Sequence, residues 1–315
     1  MKFYTRDAIL RAVDSPSVID VIERAFHSFS RREVQSGAVA HLRFPVPPGD
    51  FHIKSAHIAG APVFVVKMAG NFYDNPDIGL PSSNGMMLVF DAATGEPRCA
   101  LLDEGYLTDL RTAIAGAVAA RLIAPSSPAR LGVIGAGTQA RAQAEWICRL
   151  LNISEVRIWA RNRARAEALA GTLTRNGLST APETSIETLC AACDLIVSTT
   201  PSRTPLITPA MLRPGLRIVA VGADTFGKQE VAAEILAAAN LVLADSIDQC
   251  AEYGDCAPAI ARGVLSRDSI REIGDALQPA SCPALTSDAV AVADLTGIGA
   301  LDAAIAAYAF EQLSA

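Results

Sequence analysis

Aromatic residues are scarce in this chain, at 5% of 315, although half of all residues are apolar. Its cores must therefore be built from small aliphatic side chains, as in an Ala-rich α/β protein long enough for two domains. Basic charge is not in surplus: 27 Lys and Arg face 33 Asp and Glu, for a net charge of −6. Because the arginines are scattered among acids and form no stripe, nucleic acid is not expected as a partner. Long apolar runs are missing, the longest being residues 113–120, so no membrane span is expected. The start, Met1-Lys2-Phe3-Tyr4-Thr5-Arg6-Asp7, lacks the apolar centre of a signal peptide, and a cytoplasmic location is expected. The four histidines, His27, His41, His52 and His57, form no His-x-x-x-His pair, and no metal site is expected. Seven cysteines without a repeating framework suit a reducing compartment without disulfides. Cys190-Ala191-Ala192-Cys193 has redox spacing but no second pair, and it falls where a helix should give way to a strand, which reads as packing.

The most informative stretch is Gly135-Ala136-Gly137-Thr138-Gln139-Ala140, because an apolar strand over 131–134 runs into it and a helix over 139–151 leaves it. In such a turn the first glycine allows the bend and the second lets backbone approach a pyrophosphate. The small third residue lets helix and strand pack closely, and the helix N-terminus presents free N–H groups to the phosphates. Thr138 and Gln139 lie within the same turn. A second strand over 155–159 follows at the distance where an acid ordinarily holds the ribose 2′-hydroxyl of NAD. The chain instead reads Trp159-Ala160-Arg161-Asn162-Arg163. A guanidinium at Arg161, beside Asn162, suits a 2′-phosphate, so NADP is favoured while NAD stays open. The alternative is that Arg161, Arg163 and Arg165 merely begin a solvated helix over 164–174.

Further strands over 194–198, 217–222 and 241–244 alternate with helical segments such as 231–238. This rhythm predicts a Rossmann-type, doubly wound parallel sheet. Ligands of such sheets lie beyond the strands' carboxyl ends, which makes Thr199, Thr200, Val221 and Asp224 candidates beside a nicotinamide. Residues before about 121 show another pattern: a helix over 18–31, strands over 51–58, 63–69 and 85–90, and turns at Pro47-Pro48-Gly49 and Ala93-Thr94-Gly95. They form a smaller α+β domain. A helix over 109–123 ends before Pro125-Ser126-Ser127-Pro128, a hinge across which a cleft is expected. After residue 251 the pattern turns helical and irregular, and an apolar helix over 301–313 requires a partner surface that the first domain could supply. The expected division is residues 1–122 with 292–315, for substrate binding and dimerisation, and 123–291 for the dinucleotide. Arg43, Lys67 and Arg111 each interrupt apolar surroundings in the first domain, either as structural charges or as an anion pocket.

Several ordered blocks, taken together, resemble the ornithine cyclodeaminase and mu-crystallin family, including its alanine dehydrogenase and ketimine reductase members. They are Lys67; Asn75-Pro76; Gly79-Leu80-Pro81; Phe90-Asp91-Ala92-Ala93-Thr94-Gly95-Glu96-Pro97; and Leu107-Thr108-Asp109-Leu110-Arg111-Thr112-Ala113. The glycine turn, Val221-Gly222-Ala223-Asp224 and Thr296-Gly297 continue the match. The resemblance implies a homodimer built on the first domain, with the C-terminal helix folded back onto it. It implies that Arg43, Lys67 and Arg111 bind a substrate α-carboxylate, that Thr108 and Thr112 line the same pocket, and that Asp224 is the catalytic aspartate beside the amine or imine nitrogen. Lys67 is carried as a catalytic candidate as well.

Departures from the family pattern bear on the reaction. Cyclodeaminases of the family hold NAD tightly, yet no acid ends the second strand here. Their glutamate for the distal amino group aligns with His52, the usual Met-Pro-Ala is Lys54-Ser55-Ala56, and the serine before Thr296 is Leu295. The resulting expectation is an NADP-dependent imine reductase or amino-acid dehydrogenase acting at Cα of a small α-imino acid, such as a cyclic ketimine carboxylate. The alternatives are a cyclodeaminase with internal cofactor recycling and a non-catalytic ligand-binding protein.

Overall fold

The computed structural model describes residues 1–13, 16–278, 280–282 and 284–314. The chain divides into two compact units, Met1–Arg111 with Ile298–Ala315, and Thr112–Gly297. Both borders differ from the expected 122/123 and 291/292. The first falls inside the helix Tyr106–Ile123, whose opening residues belong to one unit and whose remainder belongs to the other.

The first unit is built on strands β1 (Lys2–Thr5), β2 (Val34–Ser36), β3 (Ala40–Pro45), β4 (Pro48–Ile58), β5 (Val63–Phe72), β6 (Ser83–Asp91) and β7 (Pro97–Leu102). The order is β1-β7-β6-β5-β4-β2, with β3 on β4; all pairs are antiparallel except β1 with β7. The period of two along β5 buries Val63, Val65 and Lys67 on one face, against the helix Gly299–Ser314. That helix also packs on Val18–Ser30 and Arg6–Val13. It is apolar nearly all round, which suits an element enclosed on several sides.

Four strands here escape sequence periodicity. β1, β2, β3 and β7 are three to six residues long, too short for alternation to stand out, and β3 is exposed throughout. The turn expected at Pro47-Pro48-Gly49 sits slightly earlier, because Pro48 and Gly49 already pair within β4.

Among its described residues the second unit carries eight parallel strands: β8 (Arg130–Ile134), β9 (Glu155–Trp159), β10 (Ser179–Pro182), β11 (Leu195–Ser198), β12 (Arg217–Ala220), β13 (Leu241–Ala244), β14 (Ile270–Glu272) and β15 (Ala291–Asp294). Their order is β10-β9-β8-β11-β12-β15-β13-β14. The chain runs outward from β8 in one direction through β9 and β10, then in the other through β11 and β12. This reversal of order is that of a doubly wound sheet, in which right-handed crossovers place helices on both faces. The inner strands β11, β12, β13 and β15 are buried along their whole length.

β15 corrects the expectation of a helical and irregular stretch beyond residue 251. It lies between β12 and β13 in the middle of the sheet. Four residues, Ala-Val-Ala-Asp, carry no period of their own, and sheet pairing alone makes them a strand. Cys190 and Cys193 end the helix Ile186–Ala192 and join the apolar core beneath it, a packing role. Among the described residues no helix is long and apolar enough to cross a membrane.

Candidate active site

In the first unit the sheet and two helices bring three ionised side chains together out of water. Lys67 lies at the end of the buried row on β5, Arg111 one turn into Tyr106–Ile123, and Asp302 in the first turn of Gly299–Ser314. Lys67 Nζ is 2.8 Å from Asp302 Oδ2, and Arg111 Nε donates to Asp302 Oδ1 at 2.8 Å. All three are at most 6% exposed. The start of the arginine's helix is fixed by Asp103, whose carboxylate accepts from the Leu107 amide at 2.8 Å.

Burial pulls the Lys67 ammonium down to about 8; Asp302 opposes that shift, while Arg111 and Lys54 reinforce it. Burial alone would raise Asp302, but Arg111, Lys67 and Lys54 outweigh it and hold the carboxyl at about 2. The cluster thus carries more positive than negative charge, as an anion-binding site requires. Sequence reasoning does not find Asp302; its one signal is a lone acid near the start of an otherwise apolar terminal helix.

Arg43 does not join this group. It is exposed on β3, paired with Asp50, which pairs in turn with Asn71 on β5. Asn71 is four residues beyond Lys67, or about 13 Å along a strand. Thr108, Arg111 and Thr112 share one helix face by their spacing. The Thr112 carbonyl also accepts from Gln143 Nε2 at 2.9 Å.

In the second unit the glycine turn lies where the strand order reverses, at the carboxyl ends of β8 and β11. Gly135 has φ of 126°, and its amide donates to the Trp159 carbonyl at 2.8 Å. A Cβ there would come within 2.6 Å of Thr199 Oγ1. Gly137 is the N-cap of the helix Thr138–Leu151, and a Cβ on it would meet nothing within 4 Å. Gln139 follows Thr138 in the helix's first turn, and Ala140 is fully buried. The turn therefore offers open space at a helix N-terminus, the surroundings a pyrophosphate needs.

Arg161 is exposed just beyond β9. Asn162 is already committed as the N-cap of Arg163–Arg175, its side chain accepting from the Arg165 amide. Arg163 pairs with Glu167 at 2.9 Å.

Glu230, which no sequence motif marks, ties the next two loops together. Its buried carboxylate accepts from Ser198 Oγ at 3.0 Å, Thr200 N at 2.6 Å, Thr200 Oγ1 at 2.7 Å and Gly222 N at 2.7 Å. Burial pushes its pKa up against the pull of those donors. Thr199 and Val221 are held by backbone bonds to Ile134 and Ser198. The strand expected over 217–222 would put Asp224 two residues past its end. β12 stops at Ala220, and the Asp224 side chain, 46% exposed, lies beyond it with Lys228 Nζ 2.6 Å from Oδ1.

Strand order and glycine turn together define a Rossmann-type protein. The sequence model of the "Ornithine cyclodeaminase/mu-crystallin family" matches residues 3–315, and the chain belongs to that family. It is 39% identical over 296 residues to a Rhizobium meliloti protein named only as a dehydrogenase, covering 93% of this chain and 90% of the relative. It is 30% identical over 309 residues to the alanine dehydrogenase of Archaeoglobus fulgidus, covering 98% and 94%. The structure of the iminosuccinate reductase of Paracoccus denitrificans, in complex with NAD+, superposes with a TM-score of 0.89 at 29% identity, covering 100% of this chain and 96% of that one.

Proposed function

We propose that this protein is a nicotinamide-dependent oxidoreductase that reduces a small α-imino acid, or oxidises the matching amino acid, at Cα. The observation that carries the reading is the buried Lys67–Asp302–Arg111 cluster, whose cationic excess suits a substrate carboxylate. Dehydrogenases and an imino-acid reductase among the full-length relatives support it. Lys67 and Arg111 hold the carboxylate, Asp302 orients both cations, and Thr108 and Thr112 line the pocket. Arg43 is retained as a weaker carboxylate contact that would need its exposed strand to move inward. Fixing one end of the substrate presents one face of Cα, and such positioning lowers a barrier by several kcal/mol, up to about 7 or more.

The residues of the glycine turn fit a dinucleotide: Gly135, Gly137, Thr138, Gln139 and Ala140 at the pyrophosphate, Thr199, Thr200 and Val221 toward the nicotinamide. When bound, the cofactor supplies the hydride. Asp224 exchanges a proton with the substrate nitrogen. Arg161, with Asn162 beside it, makes NADP the preferred form in this reading; the Paracoccus relative, by contrast, was solved with NAD+. We infer further a cytoplasmic homodimer. The free cysteines, six of them buried, suit a reducing compartment. Exposed Leu42, Phe44, Val46, Ile78, Leu80 and Met86 offer the first unit an apolar surface for a second copy.

The test is NADPH and NADH oxidation against cyclic imines and against 2-oxo acids with ammonia, run beside ornithine. Consumption of NADPH with an imine is the expected result; ammonia release from ornithine without added cofactor would overturn the reading. Asp224→Asn should lower kcat at least 100-fold, within the usual range for a proton-transfer group, while nucleotide affinity changes little. Arg161→Ala should weaken NADPH far more than NADH, and equal effects would remove the 2′-phosphate assignment.

A further inference from the structure

We propose that Asp255 and Asp294 share a buried proton that locks the loops of the nucleotide site, so that nucleotide binding weakens once this proton is lost to water as pH rises. This rests on the dinucleotide site proposed above and is independent of the substrate.

Bonding supplies the first observation. Asp294 ends β15 and Asp245 follows the neighbouring β13, its amide donating to the Asp294 carbonyl at 3.2 Å. Asp294 Oδ2 accepts from the Cys256 amide at 2.9 Å, which brings it to the residue next to Asp255. Asp255 Oδ1 accepts from the Glu230 and Val231 amides at 2.7 and 2.8 Å. The Glu230 carboxylate in turn accepts from Thr200 and Gly222. A continuous chain of bonds thus runs from the end of β15 through Asp255 to the loops after β11 and β12.

Charge supplies the second. Glu230, Asp255 and Asp294 are fully buried, and Asp245 is 1% exposed. The charges acting on Asp255 are those of Asp294 and Glu230, and Asp245 acts on Asp294. Among the described residues no Lys or Arg pairs with any of these four acids. Lys228, Arg262 and Arg267, on the segments packed against them, pair with Asp224, Glu234 and Asp248, and Arg271 donates to the Ser281 carbonyl. Arg203 and Glu252 are exposed, and Glu272 ends β14 opposite Ala244. Burial pushes the Cys250 and Cys256 thiols and the Tyr253 hydroxyl up, so all three stay neutral. Two ionised carboxylates side by side out of water, with no cation to offset them, are costly.

Unmet oxygens supply the third. Asp255 Oδ2 and Asp294 Oδ1 have no hydrogen-bond partner, although the other oxygen of each is engaged. Buried acceptors are ordinarily paired, and a proton shared by two carboxyls supplies the missing donor. Burial, with Asp245 adding to it, pushes Asp294 up to about 7, and burial with Asp294 and Glu230 raises Asp255 well above the ordinary 3.8. The pair titrates as one system. Because the unfolded chain gives up this proton near 3.8, its contribution to stability is complete below that value and falls as pH rises through about 7. Once the proton has gone to water, two like charges push Asp255 and Asp294 apart. The Glu230 and Val231 amides lose their fixed acceptor, and Glu230 loosens its hold on the two loops.

The experiment measures NADH and NADPH dissociation constants by fluorescence, and the thermal denaturation midpoint without nucleotide, from pH 6 to 9 on the full chain. Wild type is compared with Asp294→Asn, whose amide N–H replaces the unpartnered oxygen and so supplies a permanent donor in place of the shared proton. Any titration of the nucleotide itself is common to both proteins and cancels in their ratio. The wild-type dissociation constants should rise about tenfold or more relative to the variant across this range. The midpoint of Asp294→Asn minus that of wild type should grow by about 2 °C or more. Asp255→Asn, in which the amide again takes the place of the unpartnered oxygen, should flatten the same pH dependence and gives a second route should the first variant not fold. Parallel pH curves for wild type and variants overturn the proposal and leave the oxidoreductase reading standing. If neither nucleotide binds at any pH, the dinucleotide reading fails; a midpoint difference that still grows with pH then supports the shared proton, and a constant one overturns it too.

Discussion

Lys67 is the residue on which binding and stability pull in opposite directions as pH rises. Burial brings its ammonium down to about 8, whereas Asp302 beside it stays ionised to about 2. Lys67 therefore loses its charge as pH passes about 8, and under the proposed carboxylate-binding role kcat/KM for a carboxylate substrate should fall above that point. A pH profile checks this, and Lys67→Arg, charged throughout, should move the alkaline limb upward. Stability has the other sign. Between about 8 and the ordinary value of 10.5 the unfolded chain binds the extra proton, so the contribution of Lys67 to stability rises with pH across that window. Asp302 is depressed instead: its contribution is complete above the ordinary 3.8 and lost as pH falls through about 2. Asp302→Asn would leave two buried cations without their anion, a change of about 3–5 kcal/mol, to be read as a lower denaturation midpoint.

At the level of elements, the unit of function in the parallel sheet is the loop beyond a strand, and Glu230 joins two of them. It binds residues after β11 and after β12, while Asp255 accepts from the Glu230 and Val231 amides at 2.7 and 2.8 Å and fixes the loop that carries it. Replacing Glu230 with Gln sets an amide N–H against one of the two backbone N–H groups its carboxylate accepts from, those of Thr200 and Gly222, so one of the four bonds becomes a repulsion. Nucleotide affinity, followed by NAD(P)H fluorescence, should weaken about tenfold or more, equivalent to at least about 1.4 kcal/mol. Secondary structure by circular dichroism should be unchanged. Elements marked by a compact apolar run or a helical period are legible in the amino-acid sequence: β9 and β13 span the expected residues, and helix ends differ by a few. β15 and the hairpin strand β3 are not legible there, because what makes them strands is their neighbours in the sheet.

For the whole molecule, assembly turns on apolar surface. Val46 is 88% exposed at the tip between β3 and β4, with Leu42 and Phe44 exposed along β3. In the proposed homodimer this surface is covered by the second copy, and sedimentation at micromolar concentration should show a dimer. Val46→Glu combined with Leu42→Glu should shift it toward monomer; a wild-type monomer would refute the homodimer.

The amino-acid sequence by itself determined the dinucleotide turn, since the strand, glycines and helix that make it are contiguous and each is specified by local backbone chemistry. It also determined family membership and two of the cations. Only the tertiary structure decided which charge those cations meet. Lys67, Arg111 and Asp302 come from a strand, a central helix and the final helix, and no local rule ties them together. The pairing of β4 with β5 puts Lys54 beside Lys67, and the seating of the last helix on that sheet delivers Asp302 to both Lys67 and Arg111. Register and burial convert scattered charges, each unremarkable in the sequence, into a site with a surplus of positive charge.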